Sequence, residues 1–316
     1  MTSLTIAVLT YLRPHDLRDG LPLIADQVAA LGDGAAGGEW TARILVVDND
    51  AAASARATVA GIAADAPVRI DYVVEPTPGI AAARNRALDE SADDDLLVFI
   101  DDDERPRAGW LAPLLETWRS SGAAAVMGRV ISEFEGELDP WVAAGQFFRR
   151  RSMPTGTPIV VAAAGNLLLD LGRVRALGVR FDERVGLGSG EDSLFSRELV
   201  RRGGRMVWCE ESVATDVVPA SRMSRRWVLD RARSHGNAEC LIDLYLADGA
   251  SARFAVRARN LPRGAVRIAG GGARYLAGLL MRSYRHQARG LRTAHRGLGI
   301  AAGAVGRSHL EYARET

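Results

Sequence analysis

The 316-residue chain contains no lysine; all 40 of its Lys/Arg positions are arginine. That absence removes several chemistries. A phosphate-binding P-loop needs its lysine, Schiff-base enzymes need a reactive amine, and so do nucleotidyltransferases with a lysine in their signature loop. Cysteine is nearly absent too. Cys209 and Cys240 are too few for a disulfide framework and lack metal-site spacing, so each is expected as a small core residue in a reducing compartment. No uninterrupted apolar run is long enough to span a bilayer. The opening Met1-Thr2-Ser3-Leu4 has neither a basic region nor a cleavage pattern, so no secretory leader is expected. Together these absences predict a cytoplasmic protein.

What is present is unevenly charged. The net charge of +1 conceals 18 arginines against 6 acids over residues 222–316, and 22 arginines against 33 acids before them. Between Asp248 and Glu311 stand twelve arginines and no acid. An acidic first part joined to a basic tail predicts a polyanionic partner for the tail. The tail lacks the interleaved aromatics of a nucleic-acid module, so nucleic acid is not that partner.

Through residue 100 the chain alternates strand and helix signals. Strands are predicted at Leu4–Leu9, Arg43–Val47, Val68–Val74 and Leu96–Ile100, with helices near 16–31, 51–64 and 80–90. Such alternation predicts βαβ units, an α/β fold and a mostly parallel sheet. Right-handed crossovers then collect the strand tips on one edge, placing Thr10–Arg13, Asp48–Asp50 and Asp101–Asp103 around one crevice. Gly32–Gly38 and Gly186–Gly190 read as flexible loops, and Leu138–Pro158 as irregular. From Arg222 onward everything reads helical, with breaks near Gly249, Pro262 and Gly270–Gly272. The expected division is 1–221 catalytic and 222–316 helical.

The chemistry centres on Asp101-Asp102-Asp103 at the end of the apolar run Leu96–Ile100. Three like charges need a positive partner. A hard divalent cation completed by substrate phosphates is one; a solvated turn leading into a helix at Pro106–Trp110 is the structural alternative. Glu191-Asp192 follows a glycine loop and opens a helix. It reads as an N-terminal cap or as a general base for an incoming hydroxyl. Gly165-Asn166 interrupts an apolar run, as a β-bulge or as a close backbone approach to a ligand with the Asn amide on a sugar hydroxyl.

The order of these pieces resembles a family 2 glycosyltransferase of the GT-A fold. The matching segments are Thr10-Tyr11-Leu12-Arg13-Pro14, Val46-Val47-Asp48-Asn49, Pro78–Asn85, Phe99–Asp103, Ala164-Gly165-Asn166, Phe181-Asp182-Glu183 and Gly190-Glu191-Asp192, over about residues 4–218. Each is weak alone; seven in order are specific. The resemblance implies a Rossmann-like mixed sheet flanked by helices. It implies inverting transfer of a sugar from a nucleotide diphosphate sugar to an acceptor hydroxyl of a glycan, a lipid-linked saccharide or a small molecule. Asp48 would bond the nucleobase, with Thr10, Arg13, Arg84 and Asn85 lining the same pocket. Asp101 and Asp103, with Asp102 between them, would hold the ribose and Mg²⁺ or Mn²⁺. Asp192 would be the base, with Glu191 beside it.

Two departures stand out. Many relatives place a metal-ligand histidine where this chain has Asp216, which would ligate through oxygen or leave the ligand missing. Processive relatives carry Q-x-x-R-W; here the frame is Met223-Ser224-Arg225-Arg226-Trp227, which argues against processive polymerisation. Arg226 and its neighbours would face an acceptor phosphate, or Trp227 would simply pack a helix. In the tail, Arg282, Arg285, Arg289, Arg292 and Arg296 share one helical face, with Leu276, Leu280, Leu291 and Leu298 on another. That predicts a peripheral helix on an anionic membrane via 253–307, or packing on the first domain, or a homodimer contact. The rival functions are a sugar-phosphate nucleotidyltransferase, opposed by the missing lysine, and a non-catalytic nucleotide- or membrane-binding scaffold.

Overall fold

The computed structural model describes residues 1–32, 37, 39–185 and 188–308. Parts of the two expected glycine loops, 33–36, 38 and 186–187, fall outside them. The chain forms two compact units, one of Met1–Glu133, Arg150–Gly186 and Glu191–Val217, the other of Phe134–Arg149, Leu187–Gly190 and Val218–Thr316.

The first unit carries the sheet. Its strands are β1 (Thr2–Thr10), β2 (Trp40–Asp48), β3 (Ile70–Val74), β4 (Leu96–Asp101), β5 (Glu104–Pro106), β6 (Ala125–Phe134), β7 (Pro158–Ile159), β8 (Asn166–Asp170) and β9 (Met206–Val218). They lie in the order β3-β2-β1-β4-β8-β6-β9-β5, with β7 also on β9. The first four are parallel, as the alternation predicts. Beyond β4 the sheet is mixed: β8 pairs antiparallel with β4 and β6, and β5 and β7 pair antiparallel with β9, and this is where the sequence stops alternating.

Side-chain alternation divides the core in two. Ile6, Val8, Ile44, Val46, Val98 and Ile100 pack with Leu17, Leu21, Ile24 and Val28 of α1 (Pro14–Gly32) and with Trp110, Leu111 and Leu114 at α4 (Leu111–Ser121). Ala7, Leu45, Val47, Leu97 and Phe99 face the other way, onto Ala83 and Ala87 of α3 (Ile80–Glu90), α6 (Leu171–Leu177) and Phe195 of α7 (Glu191–Arg201). The remaining helix, α2 (Arg56–Asp65), buries only Val59. The central strands are apolar on both faces because both are covered.

The second unit holds α5 (Pro140–Gly145), α8 (Arg225–Tyr245), α9 (Gly249–Leu280) and α10 (Tyr284–Ala304). The short α5 lies in the stretch read as irregular, capped by Asp139, whose side chain accepts from Trp141 N and Val142 N. The breaks expected at Pro262 and Gly270–Gly272 do not occur; α9 is continuous over 32 residues. Pro262 lies on its exposed side, where a carbonyl that loses its partner turns to water. Of these glycines, Gly271 serves packing. A Cβ on Gly271 would stand 2.5 Å from Ala294 N and one on Gly290 2.6 Å from Tyr275 N, so the α9 and α10 backbones nearly touch. No helix among the described residues is long and apolar enough to cross a membrane.

Candidate active site

The site forms at the C-terminal edge of the parallel strands. In register, Thr10 ends β1 beside Asp48 of β2, and Leu9 stands beside Asp101 of β4. Ligand crevices in open α/β sheets lie at this edge. The acids gathered here have different surroundings.

Asp102 points back into the protein. Thr10 Oγ1 donates to its Oδ2 (2.8 Å) and Arg13 Nη1 to its Oδ1 (3.0 Å). Burial lifts it to about 7 against the pull of Arg13. Arg13 also donates to Asp103 Oδ2 at 3.1 Å. Thr10, Arg13 and Asp102 therefore brace the acidic turn, with Asp101 and Asp103 at its open side. Asp101 keeps 41 % of its side chain exposed. Burial of the recess around it, with Asp103, Asp192 and Asp216 adding repulsion against Arg84, raises it to about 6.

Arg84 joins this turn to the start of α7. It is buried, donates from Nη1 to Glu191 Oε1 at 2.6 Å, and brings Nη2 within 3.8 Å of Asp101 Oδ1. Its guanidinium lies over the rings of Phe99 and Phe181, 5.9 and 5.5 Å from their centroids. Burial raises Glu191 to about 7, opposed by Arg84. Asp192, next along, is half-buried and accepts Ser193 N at 2.5 Å in the first turn of α7, where the helix dipole favours a carboxylate. Asn85 clamps the Phe181–Glu183 loop: Nδ2 donates to Phe181 O and Glu183 Oε1, and Oδ1 accepts Phe181 N. Arg84 and Asn85 thus tie the acidic turn to the start of α7 and to the Phe181–Glu183 loop.

Three further residues of the expected site are buried. Asp48 has no exposed surface; its Oδ1 accepts Asp50 N, and its Oδ2 accepts Ala55 N and Tyr72 Oη. It shapes the loop after β2. Asn166 is equally enclosed, accepting Trp110 Nε1 at 2.9 Å and donating to the carbonyls of Arg129 and Ser212, each at 3.1 Å. Its amide ties strands together instead of meeting a sugar. The Gly165 backbone approaches protein acids, not a ligand: a Cβ there would lie 2.5 Å from Glu104 Oε1 and 2.9 Å from Asp101 Oδ2.

Glu104 and Arg150 had no sequence-based role. Glu104 faces Asp216 across the β5–β9 pair. It is buried, its Oε2 has no hydrogen-bond partner among the described residues, and burial among acids drives its carboxyl well above the usual range. Arg150 forms an ion pair with Asp216 and donates from Nε to Ser132 Oγ. The signals were a fourth acid after Asp103 and the arginine triplet 149–151; only the strand pairing gives them meaning. Asp216, expected as a third metal ligand, is paired here with the Arg150 guanidinium. Arg226 and Trp227 belong to the helical unit. Arg226 is 94 % exposed, and Trp227 stacks on Phe148 at 6.1 Å, the packing alternative.

The residues fit a hard divalent cation. The donors are carboxylate oxygens, and Asp101 and Glu104 are raised by burial, with the neighbouring acids adding to the rise. Among the described residues no three His, Cys, Asp or Glu side chains converge on one ion position. Two carboxylates completed by water and phosphate are what such an ion takes beside a nucleotide.

A mixed sheet with acids at the parallel edge defines a GT-A-type α/β protein. Residues 5–170 match the model of Glycosyl transferase family 2, and the chain belongs to that family. It is 36% identical over 198 residues to the succinoglycan biosynthesis protein ExoM of Rhizobium meliloti (strain 1021), covering 61% of this chain and 64% of that protein; the match thus spans under two thirds of the relative. Residues 1–349 of S. aureus TarS superpose in complex with UDP at TM-score 0.51 and 14% identity, covering 93% of this chain and 90% of that one. The complex of the same protein with UDP-GlcNAc gives 0.52 and 15%, covering 97% and 93%.

Proposed function

We propose that this protein is an inverting, metal-dependent glycosyltransferase that moves a sugar from a nucleotide diphosphate sugar to the hydroxyl of a saccharide acceptor. The observation that carries the reading is Arg84, bonded to Glu191 beside Asp192 and 3.8 Å from Asp101. It draws together the acids that would hold the donor diphosphate and the carboxylate that would meet the acceptor.

Asp101 and Asp103 would hold Mg²⁺ or Mn²⁺, which when bound supplies positive charge to the leaving diphosphate. Thr10 and Arg13 fix the turn carrying both acids, so the donor meets a preset geometry. Asp192 takes the proton from the acceptor oxygen as that oxygen attacks the anomeric carbon opposite the leaving group, which inverts the centre. Glu191, held by Arg84, sets where the first turn of α7 presents Asp192. The likeness to ExoM, a succinoglycan biosynthesis protein, supports a growing glycan as acceptor, and the TarS complexes make uridine diphosphate sugars the first donors to test.

The test is a panel of uridine, guanosine and thymidine diphosphate sugars with Mn²⁺ and saccharide acceptors. Metal-dependent release of nucleoside diphosphate with formation of a glycoside is the expected result. Release of pyrophosphate from a sugar phosphate and a nucleoside triphosphate would replace this reading with nucleotidyl transfer.

A further inference from the structure

In the helical unit the basic tail is arranged otherwise than its spacing predicts. Arg289 and Arg292 of α10 donate to Gln146, the first to its side chain and the second to its carbonyl, and Arg296 pairs with Glu239 at 2.9 Å. Leu291 packs beside Trp141 and Val142. The arginine face of α10 is thus largely spent inside the unit, and the outward surface belongs to α9.

α9 turns its small residues inward and its apolar residues out. Asn260, Gly264, Gly271 and Gly278 are buried on one side. On the opposite side Phe254, Ala258, Leu261, Ala265, Ala269, Ala273, Leu276 and Leu280 recur at steps of three and four, all exposed. Phe254 is 73% exposed, Leu276 60% and Leu280 88%. The stripe contains no charged side chain and runs about 40 Å at the helical rise. Solvated helix faces are polar, and an apolar patch of this length marks a docking surface. Arg257 borders it near one end, and Arg282 and Arg285 follow it at the other, all exposed.

We infer that this face of α9 lies on an anionic lipid bilayer, with Phe254, Leu261, Leu276 and Leu280 among the acyl chains and the bordering arginines at the headgroups. Charge selects this occupant. With twelve arginines and no acid between Asp248 and Glu311, a second copy laid against the stripe would bring like charges together, whereas anionic headgroups complement them. The helix is too polar overall to cross a membrane, which suits one lying in the interface. The inference does not depend on the transfer reaction.

The experiment is co-sedimentation of the full chain with vesicles of phosphatidylcholine alone and of phosphatidylcholine mixed with phosphatidylglycerol. Binding is expected to the mixed vesicles at low salt, to fall as salt rises, and to weaken about tenfold or more in the double variant Leu276→Glu/Leu280→Glu. Arg257→Gln/Arg285→Gln is expected to reduce binding to the mixed vesicles only. Unchanged circular dichroism, melting temperature and nucleotide binding show that the variants are folded and keep site effects apart. The inference is overturned if the full chain ignores mixed vesicles at low salt, or if the leucine variant binds them equally. It is also overturned if sedimentation velocity without lipid shows a dimer that this variant dissolves, since the stripe then meets a second copy.

Discussion

With Glu191 at 2.6 Å on one side and Asp101 at 3.8 Å on the other, the Arg84 guanidinium lies where two distant parts of the chain meet. Removing one member of a buried pair strands the other, at a cost of about 3–5 kcal/mol, while replacing both by apolar groups is nearly neutral. Arg84→Met is therefore expected to lower unfolding free energy in urea by about that amount, and Arg84→Met/Glu191→Leu to recover most of it. Simple addition of two losses would deny the coupling. At this scale the sequence indicated where chemistry gathers but not which atoms stay available. Asp48 and Asn166 read as ligand contacts because their types and neighbours suit the role, yet their polar atoms are consumed by Tyr72, Trp110 and backbone groups. Glu104 and Arg150 acquire roles only from the β5–β9 pairing and the Asp216 ion pair, long-range facts that no local pattern carries.

Elements were legible where one periodicity ruled. The strand at Leu96 and the helix Ile80–Glu90 stand where alternation and helical spacing place them. The parallel run β3-β2-β1-β4 follows from strand–helix alternation, whereas the pairings of the later strands depend on partners far apart in sequence. The α9–α10 pair carries its own signal in glycines seven residues apart, at 264, 271 and 278 and again at 290 and 297, a period that keeps one face inward over successive turns. These glycines differ from their exposed neighbours in a measurable way. Gly271→Val would drive its Cβ to 2.5 Å from Ala294 N, so a loss of about 1–3 kcal/mol is expected. At Gly270 a Cβ meets nothing within 4 Å, and Gly270→Ala is expected to stabilise by about 0.5–1 kcal/mol. Thermal melts of the two variants shifting in the same direction would contradict this packing.

Across the whole molecule, the acid cluster sets how stability varies with pH. In the folded state Asp101 is raised to about 6 and Asp102 and Glu191 to about 7, so between about pH 4.5 and 7 the folded chain holds protons that the unfolded chain has released. Stability from these groups is full below the unfolded carboxylate range and is lost as pH rises through the folded values. Acids lowered by partners, such as Asp71, Asp139 and Glu239, act in the opposite sense, and only at lower pH. The melting temperature is expected to peak near about pH 5 and to fall toward pH 8, with Mn²⁺ opposing the fall by supplying the missing positive charge. A melting temperature that climbs steadily from pH 5 to 8 would contradict the charge balance drawn here. The central claim is that Asp192 deprotonates an acceptor beside a donor held at Asp101 and Asp103. Steady-state transfer by Asp192→Asn, measured with nucleotide affinity in the same preparation, tests it most directly. Unchanged nucleotide binding with transfer reduced about 10²–10⁴-fold is the expected result; near-native turnover by that variant would contradict the account.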